Sequence, residues 1–275
     1  MADAAEQRRL NYLARLGVDV WVPREPAART EAAPATAIPV EASSVETASV
    51  ETASVETAPV DVPPTQPTES SPQPQPQPQP WVAGGSGLTQ DWPELAAAVS
   101  GCRQCGLCEG RTQTVFGSGA RDARLLVVGE APGADEERLG EPFVGPAGGL
   151  LDNMLLAMGL AREQVFIANT LKCRPPRNRD PRPEELRACA PWLQRQVELL
   201  QPGLILALGR VAAQSLLASD EPLGRLRGRA HHYGATGIPL LVSYHPAYLL
   251  RMPSEKAKAW QDLKRGMALL RREAA

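Results

Sequence analysis

The chain has 275 residues, and its 29 Lys+Arg and 31 Asp+Glu give a formal net charge of −2. This average conceals an uneven distribution, because residues 1–93 hold 5 basic and 12 acidic side chains, whereas residues 94–275 hold 24 and 19. No stretch approaches 18 uninterrupted apolar residues, and the N-terminus lacks the apolar core of a secretory signal, which argues against a membrane protein and predicts a cytoplasmic one.

The first third of the chain predicts no packed domain. Within residues 1–24, Leu10, Leu13 and Leu16 recur at helical spacing, so we expect a short amphipathic helix that could recruit a protein partner. Residues 25–90 are rich in Ala, Pro, Glu, Thr and Gln and offer too little apolar surface to offset the entropy of ordering them. We therefore expect a disordered linker, followed by a folded domain at 91–275.

The folded domain alternates short apolar runs with longer helical patterns. Four aliphatic runs bounded by Gly, Pro or polar residues predict buried strands at 123–129, 164–170, 203–209 and 238–245. Helical patterns follow at 147–160, 183–200, 210–220 and 254–272. Strand alternating with helix predicts an α/β fold, a three-layer α/β/α sandwich around a central parallel sheet of about four strands.

Chemically distinctive residues follow three of these strands. Glu130, in the turn Gly-Glu-Ala-Pro-Gly at 129–133, follows the first strand, Asn169 ends the second, and His245 ends the fourth. Because ligands of open parallel sheets bind outside the carboxyl ends of the strands, an acid, an amide and an imidazole should meet in one crevice. The glycines of the turn would expose backbone N–H groups to a ligand there.

Five cysteines form a second constellation. They lie at positions 102, 105, 108, 173 and 189. An odd number without an export signal argues against a disulfide framework and favours a metal site. Four thiolates could hold either zinc or an iron–sulfur cluster, and the spacing does not decide between them.

Basic residues concentrate around the predicted crevice. Lys172 and Arg174 follow the second strand among further arginines, and Arg251 follows His245. Cations at strand ends would neutralise the phosphates of a nucleic acid, so this pattern favours DNA binding.

Four sequence blocks resemble family 4 uracil-DNA glycosylases, the iron–sulfur members of the uracil-DNA glycosylase superfamily. They are CRQCGLCEGRTQTVFGSG (102–119), LLVVGEAPGADEERLGEPFVGPAGGLLDNML (125–155), IANTLKCRPPRNRDPRPEE (167–185) and SYHPAYLLR (243–251). The resemblance covers about residues 94–272 and implies a catalytic domain that flips uracil out of DNA and hydrolyses its N-glycosidic bond, leaving an abasic site.

The resemblance also implies roles for individual residues. Phe143 would stack on the uracil ring, and the Asn169 amide would read its edge. His245 would donate to uracil O2 and stabilise the departing anion, while Glu130 would act on water or on the cationic sugar. The backbone of Gly129, Ala131 and Gly133 would lie near the base.

The remaining implied roles concern DNA and the cofactor. Leu249 or Leu250 would wedge into the duplex, with Lys172, Arg174 and Arg251 near the phosphates. A [4Fe-4S] cluster would bind the cysteines that match the family pattern: Cys102, Cys105, Cys173 and Cys189. Cys108 falls outside that pattern.

Three alternatives stay open. The chain could be a non-catalytic iron–sulfur DNA-binding module, a zinc protein of another function, or a superfamily member that traps its abasic product covalently through a histidine. Residues 174–188 contain no His, which argues against the covalent chemistry. We expect a monomer associated with the nucleoid, with uracil-containing DNA as its substrate.

Overall fold

The computed structural model describes residues 91–272. The predicted N-terminal helix within 1–24 and the linker at 25–90 lie outside the described residues. The predicted strands and crossover helices all fall inside them.

A six-stranded sheet forms the centre of the fold. Its strands are β1 (Ser118–Gly119), β2 (Leu125–Gly129), β3 (Phe166–Asn169), β4 (Leu204–Leu208), β5 (Ala230–Tyr233) and β6 (Ile238–Ser243). The strands lie in the order β1-β3-β2-β4-β6-β5. The four central strands are parallel and correspond to the four predicted runs, so the parallel α/β architecture is confirmed.

The two edge strands correct the predicted strand number from about four to six. Both pair antiparallel with their neighbours, β1 with β3 and β5 with β6. Neither has the apolar run of a strand buried on both faces, because β1 has only two residues and β5 is AHHY with mainly exposed or half-buried side chains. Only pairing with a neighbouring strand defines them.

Helices cover both faces of the sheet. Within residues 91–272 the α-helices are α1 (Trp92–Ser100), α2 (Ala134–Leu139), α3 (Pro146–Ala157), α4 (Pro183–Leu200), α5 (Arg210–Leu217), α6 (Leu223–Leu226), α7 (Pro246–Arg251) and α8 (Lys256–Arg272). The four predicted helices correspond to α3, α4, α5 and α8. Helix α4 begins with Pro at its first position, where the missing N–H costs nothing.

The alternation of side chains along β2 divides the core into two layers. Leu125 and Val127 face the cluster that contains Leu151 of α3 and Leu263 of α8. Leu126 and Val128 face the opposite cluster, which contains residues of α4 and α5. Both faces of the strand are thus buried, as expected of a parallel strand between helix layers.

A third, smaller cluster joins α1 to α4 beside the main sheet. Leu95 and Val99 of α1 pack there with Trp192 of α4 and with Cys173 and Cys189. The cysteines therefore lie where the beginning of the folded region meets the segment after β3. Among residues 91–272, none of the helices has both the length and the apolar character needed to cross a bilayer.

Candidate active site

The carboxyl ends of the central strands open into one cavity of about 770 Å³. Seven predicted site residues line it: Glu130, Ala131, Gly133, Phe143, Asn169, His245 and Arg251. Gly129 lies beside them at the end of β2, in register with Asn169 at the end of β3. The parallel register brings residues 40 positions apart in sequence to the same edge of the sheet.

Gly129 allows the close approach of two cavity side chains. A Cβ at this position would lie 2.4 Å from Asn169 Oδ1 and 2.7 Å from Phe143 Cζ, both too short for real contacts. Phe143 itself has φ 54, in the left-handed region that a bulky residue rarely adopts. Such a conformation persists only when the surroundings hold it, and it commonly accompanies a binding site.

The Phe143 ring forms one wall of the cavity together with His245. The two rings stack with centroids 5.4 Å apart and an interplanar angle of 27°. A flat apolar face beside an imidazole suits a planar heterocycle with polar edges.

His245 is held in one tautomer by the helix that it caps. The backbone N–H of Ala247 donates to His245 Nδ1 at 3.2 Å, so Nδ1 accepts and the ring proton of the neutral imidazole lies on Nε2. Burial, with a smaller contribution from Arg251, lowers the pKa of His245 to about 4. At neutral pH the residue is therefore a neutral donor through Nε2.

Glu130 lies in a less polar environment than an ordinary surface carboxylate. Burial raises its pKa above the usual value, Asp180 raises it further, and Arg210 opposes both. Arg210 Nη2 also donates to Asp180 Oδ2 at 2.6 Å, so the two neighbours form an ion pair at the cavity. A carboxyl group with a raised pKa is a stronger base when ionised.

The cavity lining also includes polar and aromatic residues that were not predicted as site residues, among them Asp180, Arg210, Tyr244 and Tyr248. Arg210 directly follows Gly209 at the end of β4, so the strand-end rule could have found it. The tyrosine rings stack at 5.0 Å, and Arg227 lies 4.1 Å over the Tyr244 ring. Asp180 lies in a loop and reaches the cavity only through the tertiary fold.

The structure separates the two leucines predicted as a wedge. Leu249 is 1% exposed and packs into the core, whereas Leu250 is 45% exposed. The alternative Leu249 is therefore wrong as an exposed wedge, because successive residues of α7 point in different directions.

The predicted contact of Lys172 with DNA is also wrong. Lys172 is 1% exposed, and its ammonium donates to Asn169 O and Gln196 Oε1 inside the protein. Arg174 is partly exposed, but it pairs with Glu137 at 3.5 Å and donates to Asn178 Oδ1 at 2.7 Å. Both residues therefore have partners within the domain.

All five cysteines line a second, small cavity between α1, α4 and the segment after β3. Burial raises the pKa values of the Cys105 and Cys173 thiols, and it raises the pKa of Cys189 to about 12. A negative charge on one of these sulfurs would raise the pKa values of the neighbouring thiols further. Within residues 91–272, no three His, Cys, Asp or Glu side chains are grouped around a point that could hold one metal ion.

Two N–H donors contact these thiols. The backbone N–H of Lys172 donates to Cys189 Sγ at 3.2 Å, and Arg111 Nη1 donates to Cys173 Sγ at 3.3 Å. Trp192 lines the same cavity, and its buried Nε1 has no hydrogen-bond partner among the described residues. Such a donor set suits a group that carries negative charge on sulfur.

Comparison with known proteins gives consistent matches. A family model of the uracil DNA glycosylase superfamily matches residues 116–264. The chain is 41% identical over 178 residues to the type-4 uracil-DNA glycosylase of Archaeoglobus fulgidus, covering 62% of this chain and 89% of the relative. The corresponding protein of Thermotoga maritima is 38% identical over 182 residues, covering 65% and 94%.

A type-5 uracil-DNA glycosylase of Thermus thermophilus is also similar, with 38% identity over 152 residues, 48% of this chain and 68% of the relative. The type-4 matches are longer and extend over nearly the whole length of the relatives. The chain therefore belongs to the uracil DNA glycosylase superfamily, within its type-4 branch.

Proposed function

We propose that the chain hydrolyses the N-glycosidic bond of uracil in DNA, releasing uracil and leaving an abasic site. The observation that carries this proposal is the convergence of Glu130, Phe143, Asn169 and His245 on one cavity. A cavity of about 770 Å³ can accept a base only after that base has left the stack, so the reaction requires base flipping.

Phe143 and Asn169 recognise the flipped base. The ring of Phe143 stacks on uracil, and the buried Asn169 amide faces the edge of the base. Its oxygen accepts from uracil N3–H and its nitrogen donates to O4. Cytosine presents an acceptor and a donor at these two positions, so it would leave buried polar groups unpaired, which costs about 1–3 kcal/mol for each group.

His245 stabilises the negative charge that develops on the departing base. Because Nδ1 accepts from Ala247, the proton on Nε2 is available to uracil O2. The low pKa keeps this donor neutral, so the residue acts through a hydrogen bond rather than by full proton transfer. One preorganised donor of this kind contributes about 10²–10³-fold in rate.

Glu130 acts on the other half of the reaction. Cleavage leaves positive charge on the sugar, which a carboxylate at the cavity wall can stabilise. The same carboxylate can orient or deprotonate the attacking water, and its raised pKa favours that role. Both roles require the ionised form.

Leu250 and Arg251 contact the DNA around the flipped nucleotide. Leu250 is exposed near the end of α7, where it can fill the space that the base leaves in the duplex. Arg251 lines the cavity and supplies a cation for a nearby phosphate.

Cys102, Cys105, Cys173 and Cys189 fit a [4Fe-4S] cluster. They share one cavity with N–H donors to Cys173 and Cys189 and with Trp192, whose indole N–H has no partner within residues 91–272. A bound cluster would join α1 to the segment after β3 and would offset the repulsion between buried thiolates. Cys108 lines the same cavity but lies outside the family pattern.

A gel assay on an oligonucleotide with a single uracil tests the proposed function. Alkaline scission should reveal abasic sites with uracil but not with thymine or cytosine. Asn169→Asp should reduce release about 10²-fold, because a carboxylate cannot donate to O4. Asn153→Asp on α3 is the matched control and should retain activity.

Two outcomes would contradict the proposal. Absence of scission by the iron-loaded wild-type protein would favour a non-catalytic DNA-binding module. A protein–DNA adduct that survives SDS would favour the covalently trapping alternative.

A further inference from the structure

Lys172 is an unusual residue for the interior of a domain. It is 1% exposed, and its Nζ donates to Asn169 O at 3.0 Å and to Gln196 Oε1 at 2.7 Å. Both of these partners are neutral oxygens. Burying an ammonium group is costly even when it is hydrogen-bonded, so a purely structural bond between the same elements could be made more cheaply by neutral groups.

The ammonium group anchors the main chain at the residue that faces uracil. Lys172 lies three positions after Asn169 and folds back to the carbonyl of that residue. Between them, the N–H groups of Thr170 and Leu171 donate to Gly129 O and Glu130 O, each at 3.0 Å. The segment 169–172 thus connects the Asn169 side chain with the turn that carries the Glu130 carboxylate.

Helix α4 holds both the side chain and the backbone of Lys172. Gln196, fully buried in α4, accepts from Nζ and donates through Nε2 to Phe116 O at 2.9 Å. The backbone N–H of Lys172 donates to Cys189 Sγ on the same helix. Helix α4 and the cysteine cavity therefore support the position of the ammonium group, and the ammonium group supports Asn169.

We propose that Lys172 is a positioning residue for uracil recognition, which holds Asn169 at a fixed distance from helix α4 and the cysteine cavity. Without the ammonium group, the backbone carbonyl of Asn169 loses its donor. The backbone of Asn169 can then shift and carry the side-chain amide away from the edge of uracil. The inference rests on the proposed function, because it assigns Lys172 to the recognition step of that reaction. A shift of about 1 Å can cost on the order of 10²-fold in rate.

The test compares Lys172→Met with Gln196→Met in the full-length, iron-loaded protein. Lys172→Met leaves Asn169 O and Gln196 Oε1 without the Nζ donor. Gln196→Met removes the acceptor of one N–H of the ammonium group and the donor to Phe116 O. Each variant thus loses two hydrogen bonds and should lose a similar amount of stability. Lys172→Met removes the donor to Asn169 O, whereas Gln196→Met keeps that donor and loses only its bond to helix α4.

We expect Lys172→Met to lower kcat/KM for uracil release about 10- to 100-fold and to weaken inhibition by free uracil by a similar factor. Binding to DNA with a tetrahydrofuran abasic analogue should stay within about threefold of wild type, since that ligand has no base. Iron and sulfide content should not change. Gln196→Met should lose clearly less kcat/KM than Lys172→Met despite a similar loss of melting temperature, because the bond from Nζ to Asn169 O remains.

Lys172→Gln, whose shorter side chain cannot reach both Asn169 O and Gln196 Oε1, serves if Lys172→Met does not fold. It should also weaken inhibition by uracil without weakening binding to the abasic analogue. Wild-type inhibition by uracil in either Lys172 variant, or equal loss of activity in Lys172→Met and Gln196→Met, would overturn the inference. Failure of the proposed function is distinct, because the wild-type protein would then release no uracil.

Discussion

The substitution of His245 separates the chemistry of this residue from its contribution to stability. In the structure His245 Nδ1 accepts from Ala247 N–H at 3.2 Å, and this bond caps the short helix α7. The opposite nitrogen, Nε2, is the proposed donor to uracil O2. His245→Ala removes both functions. His245→Asn removes only the donor, because the shorter amide can still accept from Ala247 but cannot reach the position of Nε2.

The two functions have different magnitudes. Loss of one preorganised donor to a developing anion costs about 2.7–4 kcal/mol of transition-state stabilisation, or 10²–10³-fold in rate. Loss of a helix N-cap costs about 1 kcal/mol of folding free energy. We therefore expect both variants to lose 10²–10³-fold in uracil release, and only His245→Ala to lose about 1 kcal/mol of stability.

The measurements are single-turnover release of uracil from a defined oligonucleotide and chemical or thermal unfolding of each variant. Single-turnover conditions isolate bond cleavage from product release. Release by His245→Asn within about threefold of wild type would refute the donor role. Activity that follows stability across the two variants would refute the separation of functions.

The low pKa of His245 adds a pH dependence with a defined sign. Because the folded protein lowers this pKa from about 6.5 to about 4, the unfolded chain binds the proton more readily between these values. The contribution of His245 to stability is therefore complete above about pH 6.5 and is lost as the pH falls toward 4. His245→Asn should remove this component, so its stability should depend less on pH across that range.

Three further predictions concern the acid, the wedge and the cysteines. Uracil release should rise with pH through the pKa of Glu130, which burial raises, and Glu130→Gln should abolish this rise; a variant that kept it would point to another group. Leu250→Ala should lose about tenfold more activity on double-stranded than on single-stranded uracil DNA. Leu139 is exposed to a similar extent, 52% against 45% for Leu250, and Leu139→Ala should lose no activity; equal losses in both variants would argue against a wedge. Cys189→Ala should lose iron and sulfide while Cys108→Ala keeps both, so equal iron content would contradict the proposed ligand set.

Much of the fold was predictable because buried parallel strands need continuous aliphatic runs. The runs that form β2, β3, β4 and β6 have this composition, and the helices between them are long enough for crossovers. The edge strands β1 and β5 were not predictable in this way, since their residues are polar, short or exposed. Their strand character comes from pairing with β3 and β6.

The candidate site was predictable where it depends on strand order. Glu130, Asn169 and His245 follow strands that are parallel, and parallel strands necessarily end on the same edge of a sheet. The direction of individual side chains was not predictable from charge or hydropathy. Lys172 lies in a run of basic residues and still points inward, because two buried oxygens accept from its ammonium.

The sequence by itself determined the α/β class, the edge of the sheet that carries the site, and the resemblance to the type-4 glycosylases. These depend on residue spacing along the chain, which local composition records. The tertiary structure alone decided that Phe143 adopts a left-handed conformation, that Leu250 and not Leu249 is exposed, and that Lys172 supports Asn169. These features arise from contacts between segments far apart in sequence, and such contacts exist only once the sheet and its helices have packed together.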